Sequence, residues 1–406
     1  MIRNRILSGV SAFLLGCVVF PIVTLARPPV YRVVEIGTLG GERSEARGIG
    51  DGGHVVGWSE TGVVDTHGNT IRHAFLWCDG ELTDLGTLGG FQSEAYAVNG
   101  SGQVVGWADT PVGARHAFLW LPEPAFGLSA GMNDLNPVGS HRYEYATDIN
   151  DRGEILGPLY APFYVWLPNA AYSLSAGLHE LDCTAYNCPD DLLYYEPHLN
   201  NHLQVVAGTW IWLPVPTYGM NAGWTRLPGF AAEVSYVGDL NDMGLVIGNS
   251  VDLARPLLSL FDSARGSWFT SRIQDSWGTG INDRGVVVGY AGHPRRPFYV
   301  ELTANNGANH WELDGRAVYG TVCCGLPSGI NNRSQIVMSP AHVWDPVDTN
   351  VIGGVRPTYP QNVRFFVRNM PGPNEALTPQ CPRCDIDGDS DADLADFQAL
   401  QLAFEP

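Results

Sequence analysis

The chain has 406 residues, 45% of them apolar, with 48 glycines, 28 prolines, 12 tryptophans and a formal net charge of −19. That is material for one large domain or two to three ordinary ones, and the glycine and tryptophan content leans towards a turn-rich all-β protein. All 23 basic residues are arginine; the missing lysine excludes Schiff-base chemistry and a P-loop, and the acidic balance argues against nucleic acid and anionic membranes as partners.

In chain order, the first element is a targeting segment. Arg3 and Arg5 precede the uncharged run 6–26, which closes on Thr24-Leu25-Ala26. This reads as a signal peptide, residues 1–26, cleaved before Arg27, which places the chain outside the cytoplasm: secreted, periplasmic or at the cell surface, with no membrane attachment after cleavage. Two alternatives stay open. "LLGC" at 14–17 resembles a lipobox with Cys17 lipidated, and the apolar run is just long enough to remain as an uncleaved anchor. Seven cysteines follow Cys17. In an oxidising compartment Cys183 and Cys188 would close a small loop and Cys381 and Cys384 a tight bridge, with a zinc site from Cys323, Cys324, Cys381 and Cys384 as the rival reading. Cys78 stands alone and reads as a buried thiol.

Residues 31–350 are dominated by a repeat. "IGDGGHVVG" at 49–57, "VNGSGQVVG" at 98–106, "INDRGEILG" at 149–157, "LNNHLQVVA" at 199–207, "LNDMGLVIG" at 240–248, "INDRGVVVG" at 281–289 and "INNRSQIVM" at 330–338 share one pattern. Its anchors are Gly50, Asn99, Asn150, Asn200, Asn241, Asn282 and Asn331. Asparagine at the first turn position, with glycine at the fourth, suits a type I turn closed by a left-handed residue between two antiparallel strands. Leu203 and Ser334 occupy that fourth place in units four and seven, which predicts altered turns there. The "VVGW" run after the turn reads as a strand buried on both faces. A third strand ("RHAFLW" at 72–77 and 115–120) and a fourth ending in leucine ("ELTDL" at 81–85) complete the unit.

Seven units of roughly 40–50 residues, each a meander of four short strands, predict an all-β, seven-bladed β-propeller over residues 27–355, because one such unit cannot bury its own faces. Residues 31–36 match the end of a unit and are expected to pair with the last blade and remove its free edge. The stretch "DLGTLGG…SEAYAVNGSGQVVGWA…RHAFLW" resembles the bacterial extracellular HAF-repeat family. The match is strong in units one and two and fades through units three to seven. It implies an exported propeller-like protein and brings no catalytic residues with it.

Residues 356–380 read as a connecting segment and proline-rich linker. In 381–406, "CDIDGDSDADLADFQALQLAF" places Asp385, Asp387, Asp389, Asp391, Asp393 and Asp396 at positions one, three, five, seven, nine and twelve of an EF-hand-type loop. Alternating hard oxygens at that spacing wrap one Ca²⁺. The module resembles one half of a type I dockerin repeat of the planctomycete kind. Ser390 replaces the usual glycine and Ala392 the usual isoleucine or valine, and there is one loop where a dockerin has two, which puts cohesin-type docking in doubt.

Several motifs read as structure. "GLSAG" at 127–131 fits a nucleophile elbow with Ser129, yet its counterparts are "SLSAG" at 173–177 and "GMNAG" at 219–223, so it marks a loop. His73, His116 and His342 occupy equivalent strand positions and read as packing or bonding across blades. Ser44-Glu45 and Ser93-Glu94 start strands. Trp58, Trp77, Trp107, Trp120, Trp166 and Trp212 recur with the unit and read as core between blades. The functional expectation is a non-enzymatic exported binding or scaffold protein, with a glycan or protein at the propeller face and a cell-surface partner for the calcium module. A carbohydrate-active propeller, with Asp190, Asp191 and Glu196 as its carboxylate cluster beside Tyr194 and Tyr195, and a purely structural envelope protein are the alternatives.

Overall fold

Each of the seven turn motifs joins the first two strands of an antiparallel sheet in the computed structural model. It describes residues 31–136, 144–157, 163–181, 196–227, 234–250, 257–292, 296–301, 303–305, 310–312, 326–339, 342–346 and 364–367. The first sheet comprises Ser44–Ile49, Val55–Val64, Thr70–Cys78 and Glu81–Gly86 in sequence order. The second to fifth sheets repeat that four-stranded order, and the sixth has three strands followed by the hairpin Thr303–Asn305 with His310–Glu312. The seventh holds Leu326–Ile330, Ile336–Ser339 and His342–Pro346, joined by Arg364–Val367 and by Tyr31–Glu35 from the start of the chain. Tyr31–Glu35 pairs antiparallel with His342–Pro346 (Arg32 opposite Asp345) and with Arg364–Val367. The described residues contain no helix; the architecture is all-β and propeller-like.

The core lies between sheets. Along one strand, Val55 packs with Phe75 and with Val337 of the seventh sheet, while Val56 next to it packs with Val104 and Phe118 of the second. Successive side chains of a strand point to opposite faces, so an unbroken apolar run is what a strand flanked by two neighbours needs. The same arrangement fills the interfaces two–three, three–four, four–five, five–six and six–seven. The recurring tryptophans serve these interfaces: Trp77 and Trp107 are buried, and Trp120, Trp166 and Trp212 pack partly buried against them.

The turns carry a second level of order. Each anchor asparagine accepts two backbone N–H bonds of its own turn, as Asn241 Oδ1 does from Met243 and Leu245. Its amide then reaches the anchor of the next sheet. Asn99, Asn150, Asn200, Asn241, Asn282 and Asn331 donate through Nδ2 to the carbonyls of Asn150, Asn200, Asn241, Asn282, Asn331 and Gly50, all at 2.9–3.0 Å. Gly50 has no side chain to continue the series, because a Cβ there would stand 2.6 Å from the Asn99 carbonyl oxygen. The expectation of altered turns in units four and seven is corrected. Leu203 and Ser334 adopt the left-handed conformation at φ 54° and 61° and close the same hydrogen bond to the anchor carbonyl as the glycines do. The fully buried Leu203 side chain offsets a left-handed penalty of roughly 1–2 kcal/mol.

Candidate ligand-binding site

The first strands of the sheets converge on a cavity of about 350 Å³ lined by residues of all seven. A backbone irregularity shapes it. In sheets one, two, five, six and seven the pairing of the first two strands skips one residue, at Arg47, Tyr96, Gly238, Thr279 and Ser328. A bulge leaves one residue unpaired and re-aims its side chain; Arg47, Tyr96, Thr279 and Ser328 all line the cavity. In sheet two a glycine stands beside the bulge, seven positions after the anchor. A Cβ at Gly106 would lie 2.0 Å from the Glu94 carbonyl oxygen across the bulge.

The residue two before each anchor reads, in unit order, Gly48, Ala97, Asp148, His198, Asp239, Gly280 and Gly329. Four of the seven are small, and three adjacent sheets supply Asp148, His198 and Asp239. His198 Nδ1 stands 4.0 Å from Asp148 Oδ2 and 3.9 Å from Asp239 Oδ1, too far for direct hydrogen bonds. The carboxylates also tie sheets together: Asp148 accepts from the Leu199 and Ile149 amides, and Asp239 from those of Ile281 and Leu240. Burial pushes the Asp148 carboxyl up to about 6, against the opposing pull of His198 and the two amides. Burial raises Asp239 in the same direction.

At the turn end the residue after each anchor forms a second tier. Asp151 Oδ1 accepts from the Gly100 amide, Asn201 Oδ1 from Asp151, Asp242 Oδ1 from Asn201 and Asp283 Oδ1 from Asp242. Asn332 and Asp51 continue the series. The wall on the side of the first two sheets is closed by Arg47. Its guanidinium bonds Glu94 at 2.9–3.0 Å and lies 3.2 Å from Glu45. Tyr96 lines the cavity beside it, and burial raises its phenol.

The residues singled out in the sequence fall as follows. Glu196 lines the cavity. Asp190, Asp191, Tyr194 and Tyr195 lie outside the described residues, as do the segment 1–26 with Cys17, Cys183, Cys188, Cys323, Cys324, Cys381 and Cys384, and the calcium loop Asp385, Asp387, Asp389, Asp391, Asp393 and Asp396. Of the connecting segment, Arg364–Val367 is a strand. Ser129 is exposed next to the Ala125–Leu128 bridge, and that bridge recurs at Ala171–Leu174 and Thr217–Met220, so the elbow-like motif is a repeated loop. His73 and His116 bond within their own sheets, not across blades, with Nδ1 2.9 Å from Asp84 and 2.8 Å from Asp134. The His342 side chain lies outside the described residues. Ser44 and Ser93 begin strands, their hydroxyls donating to the Gly37 and Gly86 carbonyls. Cys78 is free and half-buried, not fully buried; burial raises its thiol.

Sequence reasoning missed Asp148, His198 and Asp239. The signal was present: with the seven anchors aligned, the column two before them is small in four units and ionisable in three consecutive ones. Columns that recur reveal the fold, and this one is informative because it does not recur.

No family model matches the chain, and no curated protein matches it. Among solved structures it is similar to the crystal structure of the tricorn protease at 10% identity and a TM-score of 0.22, covering 64% of this chain and 29% of that one. The chain therefore spans less than a third of the length of that protein, and a likeness this remote says nothing about the cavity.

Proposed function

We propose that the chain is an exported, non-enzymatic binding protein of the HAF-repeat kind, folded as a closed seven-bladed β-propeller. Its ligand sits in the central cavity, and residues 381–406 form a dockerin-like calcium module for attachment to a cell-surface partner. Two features support the ring: seven apolar interfaces in cyclic order, the last joining sheets seven and one, and the Asn331 bond to Gly50. The observation that carries the binding reading is the change at one repeat position. Most of the lining follows the repeat, which builds the fold; Asp148, His198 and Asp239 depart from it on three neighbouring sheets and face open space. A glycan and small-metabolite screen of the full chain tests this. The expected result is a ligand whose binding is weakened at least tenfold by His198→Ala and is unchanged by Asp65→Asn, on an exposed hairpin. For the module, Asp385→Ala with Asp396→Ala is expected to abolish Ca²⁺ binding in calorimetry while the β-sheet circular dichroism signal is retained.

One observation favours a second reading as a carbohydrate-active enzyme. Asp148 and Asp239 both approach His198 Nδ1, so their carboxyl oxygens stand no more than about 8 Å apart, a range that includes the separation of the acid pairs of glycoside hydrolases, and burial raises both carboxyls. Against it, each accepts two main-chain amides, one of its own strand and one of the next sheet, Leu199 for Asp148 and Ile281 for Asp239. Release of reducing sugar from polysaccharides by the wild type, lost in Asp148→Asn, would replace the binding reading.

A further inference from the structure

We propose that the cavity takes a small linear organic dication, a molecule with two ammonium or guanidinium groups; this rests on the binding reading above. The two tiers of carboxylates supply two cation subsites. Asp148 and Asp239 stand on the strand, and Asp51, Asp151, Asp242 and Asp283 at the turn end, three residues further along the chain. Three residues of extended chain span roughly 10 Å, and the cavity's volume of about 350 Å³ is at the small end of ligand sites.

The lining disfavours an anion and a bare metal ion. An anion would need a cation to hold it, and among the described residues Arg47 is the one arginine in the wall, already shared between Glu94 and Glu45. A bare metal ion would need converging ligands. Among the described residues no three histidine, cysteine, aspartate or glutamate side chains converge in that way, and the Asp148 and Asp239 oxygens already accept backbone amides. An ammonium or guanidinium asks less of geometry. It donates several bonds to carboxylates that still have lone pairs, and it is attracted to the face of an aromatic ring such as that of Tyr96, which also lines the cavity. Asp148 and Asp239 both line the cavity, and His198 Nδ1, 4.0 and 3.9 Å away, hydrogen-bonds neither, so those acceptors are reachable from the cavity.

The charges facing this wall are Asp148, His198, Glu196 and Asp239, with Asp283 acting on Asp239 from the sixth sheet, Asp51, Asp151 and Asp242 at the turns, and Arg47 opposite. Because Asp148 is pushed up to about 6 and Asp239 is also raised, acidification removes negative charge from the subsite, and affinity for a dication falls from pH 7.5 to pH 5.

Calorimetry on the full chain at low salt tests this with three probes of equal length: 1,6-diaminohexane, 1,6-hexanediol and adipate. The expected result is saturable binding of the diamine at pH 7.5, at least tenfold tighter than the diol, with no adipate binding, and at least fivefold weaker at pH 5. Asp148→Asn with Asp239→Asn should weaken the diamine at least tenfold. Since those carboxylates also join sheets, His198→Lys is the second variant: it sets an ammonium between them, leaves their backbone bonds in place, and should abolish diamine binding with the fold intact. Diol or adipate binding as tightly as the diamine, no diamine binding, or full binding by His198→Lys would overturn the dication. If a neutral ligand from the screen is still lost in His198→Ala, the cavity remains a binding site of another chemistry; if none is, the binding reading falls as well.

Discussion

Asp148 sits where the repeat places glycine or alanine in four other units, and its carboxyl bears the cost of burial. Held at about 6 against an ordinary 3.8, it binds its proton more tightly in the folded chain than in the unfolded one. The stability it contributes is fully present below about pH 4 and is lost as pH rises through 6. The span corresponds to at most about 3 kcal/mol, reduced because 22% of the side chain is open to solvent. Asp148→Asn removes that titration. The variant's stability relative to wild type is expected to improve by about 1–3 kcal/mol between pH 4 and pH 7.5, whatever constant offset the lost amide acceptor adds. Urea titrations at the two pH values measure it; a difference that does not change with pH would mean the carboxyl ionises at its ordinary value. At this scale the sequence was legible where a residue obeys the repeat and opaque where it bends it. The anchor asparagines announced their turns, while Leu203 and Ser334 looked incompatible with the left-handed position. Backbone strain of about 1 kcal/mol is small beside the burial of a leucine in a core, which no local pattern displays.

The two-strand element around each turn was the most legible part of the chain. Its apolar run, and the small residue that six of the seven units place seven positions after the anchor, are visible in the letters. The reason for that residue at Gly106 is not, because it depends on the approach of the partner strand's backbone beside a bulge, which is a relation between strands. Gly106 makes the point testable. A Cβ there would meet the Glu94 carbonyl oxygen at 2.0 Å and the Ala95 Cα at 2.8 Å, both backbone atoms that cannot swing aside. Gly106→Ala is expected to cost about 3 kcal/mol or more, in the tail of single-residue effects. Gly113 is the matched comparison, left-handed at φ +78°, where an added methyl group would meet nothing within 4 Å. Gly113→Ala should cost about 1 kcal/mol, the conformational penalty alone. Thermal unfolding of the two variants separates them; equal shifts would show that the backbone beside the bulge relaxes to admit the methyl group. The same bulge turns Arg47, Tyr96, Thr279 and Ser328 into the cavity, so a fold device also decides the composition of the candidate site.

For the whole molecule, the number of units and their spacing could be counted along the chain, whereas the proposed closure turns on a bond from Asn331 to Gly50, residues 281 positions apart. Closure makes a quantitative claim about two asparagines that are locally alike. Asn200 accepts the amides of His202 and Gln204 and donates to Gln204 Oε1 at 2.9 Å and to the Asn241 carbonyl at 3.0 Å. Asn331 accepts the amides of Arg333 and Gln335 and donates to Gln335 Oε1 at 2.6 Å and to the Gly50 carbonyl at 2.9 Å. Both are buried. Alanine at either site removes these four hydrogen bonds and leaves buried amides, a side-chain oxygen and a carbonyl short of partners, a loss of about 2–4 kcal/mol. In an open array of sheets the link to the next unit exists for Asn200 and is missing for Asn331, since sheet seven would have no neighbour beyond it. The second substitution would then be cheaper by the worth of that link, about 1 kcal/mol or more. In the closed ring the costs agree to within about 0.5 kcal/mol, the scatter usual between equivalent sites. Equilibrium unfolding of Asn200→Ala and Asn331→Ala therefore reads out closure from energetics, and a markedly cheaper Asn331→Ala would leave seven stacked sheets without a ring and the cavity without its seventh wall.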